Sequence, residues 1–265
     1  MEKQIIWRGL LAGAVAGVLA FLFARIFVEP RIELAIGYEE GVGAAHEAAE
    51  AAAGVAAHSH GEGGGFTRAV QMNIGMGLGV LLFSLAIGAL FAVVFAVAYG
   101  RVGNVSARLL SVYVAGGMLL SLYVVPALKY PASPPALSLD ETIRQRTLLY
   151  LLVVVLSAVL LVGAVYLGRR LVARLGTWNA TLAAGGAYLV AVAVLFLVLP
   201  GIHETPGPLV DGAGTIIYEG FPADVLYEFR LYSLGTQVVI YATIGLVFAA
   251  LVSRLLGEQR RAVSA

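Results

Sequence analysis

The stretch TLLYLLVVVLSAVLLVGAVYL, Thr147–Leu167, carries no charged residue. At 1.5 Å rise per residue, a helix of that length crosses the roughly 30 Å hydrocarbon layer of a bilayer. Five further stretches are long and apolar enough to do the same: Ile5–Phe27, Met72–Tyr99, Leu109–Leu128, Ala180–Leu199 and Ser233–Leu255. The 265-residue chain is 60% hydrophobic and 12% charged, with a mean hydropathy of +0.90. Soluble domains hold about 45–50% apolar and about 25% charged residues. The excess apolar surface therefore needs the lipid bilayer as its solvent and partner. The expected fold is all-α: a polytopic membrane bundle of about six transmembrane helices, forming one integral membrane domain over residues 1–265. The first apolar run, Gly9–Ala24, is long for a signal sequence and no small-x-small cleavage site follows it, so it reads as a retained helix.

Composition also excludes several classes. The chain has no cysteine, hence no disulfide, thiolate metal site or cysteine nucleophile. A net charge of +1 gives no reason to expect a nucleic-acid partner. No GK[ST] phosphate loop occurs. Ser84 and Ser157 lie in apolar runs with no histidine at matching depth, so an enzyme is not expected. No prosthetic group is implied, and no mid-membrane Asp–His relay defines an energy source.

Basic residues fix an expected orientation. Lys3 and Arg8 precede the first helix. Arg101 and Arg108 occupy one short connection, and Arg169, Arg170 and Arg174 another. Arg254, Arg260 and Arg261 close the chain. Six helices put all of these on one side, with both termini cytoplasmic in a multi-pass cell-membrane protein. The outer segments are then about 28–71, 129–146 and 200–232.

Gly9, Gly13 and Gly17 recur at spacing four on the first helix, a strip that lets a second helix approach closely. A weak internal repeat is also visible. Arg101-Val-Gly-Asn-Val-Ser-Ala107 resembles Arg174-Leu-Gly-Thr-Trp-Asn-Ala180, and each helix then runs to a proline, Pro126 or Pro200. Arg8-Gly9 followed by Pro30 is a fainter copy. Arg68, Arg146 and Arg230 each precede a returning helix. Three tandem helical hairpins would produce this pattern, and so would the general preference of helix ends for Arg, Gly and Pro.

Chemistry concentrates in the outer segments. The first, 28–71, carries His46, Glu47 and Glu50 in an alanine-rich stretch, then His58-Ser-His60-Gly-Glu62. If helical, His46 and Glu50 share a face at i, i+4. Imidazoles and carboxylates suit Zn(II), Ni(II) or Co(II); a solvated low-complexity loop is the competing reading. His203-Glu204 follows Pro200, as a further ligand pair or as a helix-end hydrogen bond. In the second outer segment, Lys129 and Arg146 sit near the membrane edge, free to snorkel or to find carboxylates. Asp224 is expected as an N-cap and shares a face with Glu228. With Arg230, these groups can form an ion-pair lattice joining hairpin ends. Arg25 and Glu29 are expected to pair at i, i+4.

The chain resembles the CbtA family of predicted cobalt transporter subunits. The resemblance runs from Trp7-Arg8-Gly9-Leu-Leu-Ala-Gly13 to the last helix. It is carried by Leu128-Lys129-Tyr130-Pro131-Ala132 with Pro134-Pro135, by Glu141-Thr142-Ile143 with Arg146-Thr147 and Tyr150, by Arg174–Ala180, and by Phe221-Pro-Ala-Asp224 through Phe229-Arg230 to Ser233-Leu-Gly-Thr-Gln237. The family pattern commonly has Asn before the two prolines, where this chain has Ser133, and the segment 207–220 reads as an insertion. The resemblance implies cobalt uptake for cobalamin synthesis, alongside a small His-bearing membrane subunit similar to CbtB. A homo-oligomer is also compatible. Under this reading His46, His58, His60, His203 and Glu204 are candidate metal ligands. Lys129, Tyr130, Glu141, Arg146, Asp224, Arg230 and Gln237 are candidates for the transport path or outer gate, and Co(II) is cargo. The alternative is a nontransporting membrane scaffold that docks a metal-binding partner.

Overall fold

The computed structural model describes residues 2–52, 67–103, 105–135, 137, 140–202 and 204–257, with Asp140 described by its backbone alone. Among the described residues there are five long apolar helices: α1 (Glu2–Ala52), α2 (Arg68–Ala98), α3 (Ala107–Lys129), α4 (Asp140–Val198) and α5 (Ala223–Leu255). Large apolar side chains lie open on their outer surfaces, among them Leu197 at 86% and Val162 at 71% exposure. Such a surface is stable only against lipid. The bundle is thus an all-α membrane fold, as the composition requires.

The first helix does not stop where the apolar run ends. The stretch 29–52, expected as a connection, is helical to Ala52. Likewise α4 absorbs two expected helices. It breaks at Gly176, whose φ of 73° and ψ of 166° are not helical. Its two arms fold back on each other: Val153 packs with Tyr188 and Val192, and a Cβ added at Gly168 would lie 3.1 Å from that of Ala184. α4 is therefore a hairpin whose turn is one glycine, a residue that takes positive φ without steric cost.

The repeat has a backbone counterpart. Gly103 and Gly176, equivalent in the Arg-x-Gly pieces, both have positive φ. Three residues on, Ser106 caps α3 by accepting from Leu109 N at 3.2 Å, and Asn179 holds the same place in α4. Ala107 and Ala180, next in each copy, are fully buried. At the other end, α1 and α3 each contain one π-turn, Ala24–Val28 and Leu120–Val124, closed by Glu29 N to Ala24 O and by Val125 N to Leu120 O. Each begins six residues ahead of a proline, Pro30 or Pro126. A proline ring clashes with the carbonyl four residues back and cannot donate to it. The wider turn accommodates that clash inside a continuous helix. α2 carries a third π-turn, Gln71–Gly75, without a proline.

α1, α2, α3 and α5 enclose the main core around Phe91, Phe95, Tyr241 and Phe248, where Phe248 meets both phenylalanines edge-on at 5.0–5.1 Å. The α4 hairpin packs on the later half of α3. The α1–α2 seam uses the glycine strip: a Cβ at Gly13 would lie 2.5 Å from Ser84 O, and one at Gly9 would collide with Gly88 O. Residues 207–220, read as an insertion, form a short antiparallel hairpin of β1 (Leu209–Val210) and β2 (Ile216–Tyr218). Its turn is held by Asp211, whose carboxylate accepts from Thr215 N and Ala213 N; these backbone amides keep it below the ordinary carboxylate range. Tyr218 sets the hairpin against Tyr38 of α1 at 5.6 Å between rings.

Gly13→Val is expected to lower the unfolding free energy by about 1–3 kcal/mol through overpacking. Gly79→Ala, whose added carbon meets nothing within 4 Å, should not lower it and is expected to raise it by about 0.4–1 kcal/mol. Denaturation of both variants in detergent checks the pair.

Candidate functional site

The described candidate site residues lie toward one end of the bundle, marked by Pro30, Pro126 and Pro200. The other end holds Lys3, Arg8, Arg101, Arg108, Arg169, Arg170, Arg174 and Arg254. Among the described residues every acidic side chain except Glu2 belongs to the proline end or to the segments beyond it.

The prolines dictate what several polar groups do there. Pro200 has no N–H for the carbonyl of Phe196, four residues earlier. Lys129 Nζ donates to that carbonyl at 2.8 Å. Tyr130 OH donates to Pro200 O, also at 2.8 Å, and burial pushes the Tyr130 phenol above its ordinary range. Pro126 similarly leaves the carbonyl of Leu122 short of a donor, and Tyr150 OH reaches it at 3.4 Å. Ser157 Oγ bonds the neighbouring Ser121 O. Lys129, expected to snorkel or meet a carboxylate, instead serves the helix carbonyl that its neighbour's proline leaves open. Tyr150 was legible as a motif residue but not as a donor. Its sequence signal is the carbonyl four residues before an intramembrane proline.

Three arginines, one opening each returning helix, bind the hairpins together. Arg68 pairs with Glu29 across α2 and α1. Arg146 pairs with Glu204 and also donates to Pro131 O. Arg230 donates to the adjacent Ala132 O at 3.1 Å. Glu204 is thereby fully engaged: Thr142 Oγ1 donates to its second oxygen at 2.6 Å. Glu228 pairs with Arg31. Of the lattice expected from Asp224, Glu228 and Arg230, only Glu228 forms an ion pair; Asp224 accepts from its neighbour Val225 N and Arg230 serves a carbonyl.

Two local expectations are corrected. Arg25 does not pair with Glu29. It donates to Asn73 Oδ1 at 3.2 Å, while Glu29, only 2% exposed, takes Arg68 and keeps its other oxygen without a hydrogen bond among the described residues. The π-turn between them inserts a residue and spoils the i, i+4 register. Asp224 is not the N-cap of α5, which is Pro222. It lies in the first turn, where a carboxylate still favours the helix N-terminus.

His46 and Glu50 do share a helical face, with 3.4 Å between Nε2 and Oε1. His58, His60 and His203 lie outside the described residues. Among the described residues no group of three or more His, Cys, Asp or Glu side chains is placed to hold a metal ion. Glu141 and Asp224 are exposed, and Gln237 is half-buried.

Arg146→Ala is expected to cost about 3–5 kcal/mol, because it leaves the Glu204 carboxylate buried without its charge partner. Adding Glu204→Gln should recover part of that loss. Reversible unfolding in mixed micelles measures both.

Comparison with curated proteins and with solved structures returns no significant match. A family model described as "Probable cobalt transporter subunit (CbtA)" matches residues 2–253, nearly the whole chain, and on that match the chain belongs to the CbtA family.

Proposed function

We propose that this protein carries a divalent metal cation, cobalt, into the cell for cobalamin synthesis, working with a small His-bearing membrane subunit. The single observation behind this reading is the family match over residues 2–253, on a bundle of apolar membrane helices. In it the chain crosses the bilayer six times, with the α4 hairpin supplying two crossings. The basic end and both termini face the cytosol, consistent with the preference of Lys and Arg for that side. The proline end then faces outward with its carboxylates, which raise the local concentration of cations. His46, on the helix extension beyond the apolar part of α1, gathers the ion with His58 and His60 downstream. His203 and Glu204 stand at the outer mouth. The Arg146–Glu204 pair, with Lys129, Tyr130, Glu141, Asp224, Arg230 and Gln237 around it, acts as the outer gate.

A second reading, a scaffold that docks a metal-binding partner and does not itself conduct, has one observation in its favour. Several buried hydroxyls of the bundle donate within their own helices, Ser111 to Ala107 O, Ser121 to Gly117 O and Thr236 to Tyr232 O, so they do not line a continuous polar path. Proteoliposomes containing the purified chain separate the two. The permease reading expects Co(II) flux from this chain alone, raised when the second subunit is added; no flux from this chain at any Co(II) concentration selects the scaffold.

Replacing His46, His58, His60 and His203 together with Ala is expected to depress uptake at low cobalt and to leave it near normal at high cobalt. Unchanged uptake at every concentration removes the histidines from the reading. Topology has its own check, since the chain lacks cysteine. Ser59→Cys should react with an impermeant maleimide on intact cells, and Ala173→Cys only after permeabilisation.

A further inference from the structure

At the basic end several guanidiniums are occupied by backbone carbonyls or an aromatic ring. Arg8 donates to Leu251 O at 3.2 Å and Gln4 O at 2.9 Å. Arg101 donates to Val97 O at 2.7 Å, and Arg169 to Arg101 O. Arg170 lies over the Tyr166 ring, 4.6 Å from its centroid. Basic side chains commonly satisfy the last carbonyls of helices in this way. Arg108, Arg174 and Arg254 do not: among the described residues none of them has a carboxylate, carbonyl or ring partner, and of the three Arg108 and Arg254 share one groove.

Both line one groove of about 480 Å³ between α3 and α5, with Ser106 at its rim and Leu109, Val112, Leu246, Ala249 and Ala250 along its walls. Leu109, Val112 and Leu246 are 44%, 46% and 64% exposed. The groove therefore opens sideways from the bundle, where the bilayer lies. α3 and α5 meet closely at Gly245, where an added Cβ would lie 2.7 Å from that of Ala115. From there the α5 wall runs to Arg254 over two small residues, Ala249 and Ala250, which leave room for a chain. Glu2 is the sole described acidic residue at this end, so no described carboxylate of the groove competes for its guanidiniums.

We propose that this groove is a binding site for one anionic phospholipid. The phosphate sits between Arg108 and Arg254, whose planar forks match its oxygens. One acyl chain lies along Leu109, Val112, Leu246 and the two alanines. A zwitterionic lipid offers the same chain but cancels the phosphate charge with its own ammonium. Free phosphate offers the charge without the chain. Basic pockets between membrane helices select lipid headgroups on these grounds.

The test uses the full chain in detergent micelles doped with phosphatidylglycerol or phosphatidylcholine, or supplemented with inorganic phosphate, and follows thermal unfolding and retained lipid by native mass spectrometry. Phosphatidylglycerol is expected to stabilise the wild type and to remain bound, with phosphatidylcholine and phosphate giving little. Arg108→Gln with Arg254→Gln should weaken phosphatidylglycerol binding by about 30-fold, from the attraction two basic residues have for an anionic lipid surface. Ala250→Phe starts from an exposed position and keeps both charges, so it should block the chain and weaken binding too. Lys3→Gln with Arg174→Gln removes the same charge elsewhere at this end and should bind as the wild type does. The proposal fails if phosphatidylcholine stabilises equally, or if phosphate alone reproduces the effect. It fails equally if the groove variants bind like wild type, or if the control pair loses as much.

Discussion

A carbonyl inside the lipid layer has no water to turn to, and this requirement shapes the bundle. Each proline near the outer helix ends removes one donor from a backbone that cannot spare it. The deficit at Pro126 is met by Tyr150, and that at Pro200 by Lys129. Neither donor comes from the helix it serves. Tyr150 reaches from α4 to α3, and Lys129 from α3 to the returning arm of α4. Satisfying the backbone therefore fastens one hairpin to the next. The π-turns belong to the same account: they let α1 and α3 continue past a proline without breaking.

The two halves of the bundle are held by different forces. The α1–α2 seam is close contact between backbones, made possible by Gly9, Gly13 and Gly88. Dispersion is enough there, because lipid tails compete poorly with such tight packing. The α4 hairpin adds polar groups to its apolar packing on α3, through Arg146, Glu204, Thr142, Lys129 and Tyr130. These interactions are directional, and each depends on a partner from a separate stretch of chain. The Arg68–Glu29 and Arg31–Glu228 pairs extend the same lattice to α1, α2 and α5.

Charge is uneven along the bundle axis. Among the described residues carboxylates collect at the proline end, with Glu2 as the exception, while basic residues stand at both ends. A cobalt transporter subunit has use for an acidic face, which attracts cations without specifying which. Within that face the buried carboxylates Glu29 and Glu204 are bound to arginines, while His46 and Glu50 lie on a helix that projects beyond the apolar core. Structural pairing thus occupies the buried acids of this layer and leaves Glu50 beside His46 on the projecting helix.

The sequence by itself determined the all-α membrane fold, because an uncharged run such as Thr147–Leu167 has few stable settings other than a helix in lipid. It also determined the close approach along the glycine strip, the i, i+4 meeting of His46 with Glu50, and the family, since all of these are local or linear patterns. The tertiary structure alone decided which partner each polar group takes. Arg25 and Glu29 look paired along the chain, yet a π-turn rotates them apart and hands Glu29 to Arg68. Lys129 looks like a membrane-edge cation, yet it serves a carbonyl on another helix. The groove between Arg108 and Arg254 is likewise invisible in one dimension. Periodicity records which face of a helix is apolar; it does not record which distant residue stands opposite, and hydrogen bonds depend on that to within an ångström.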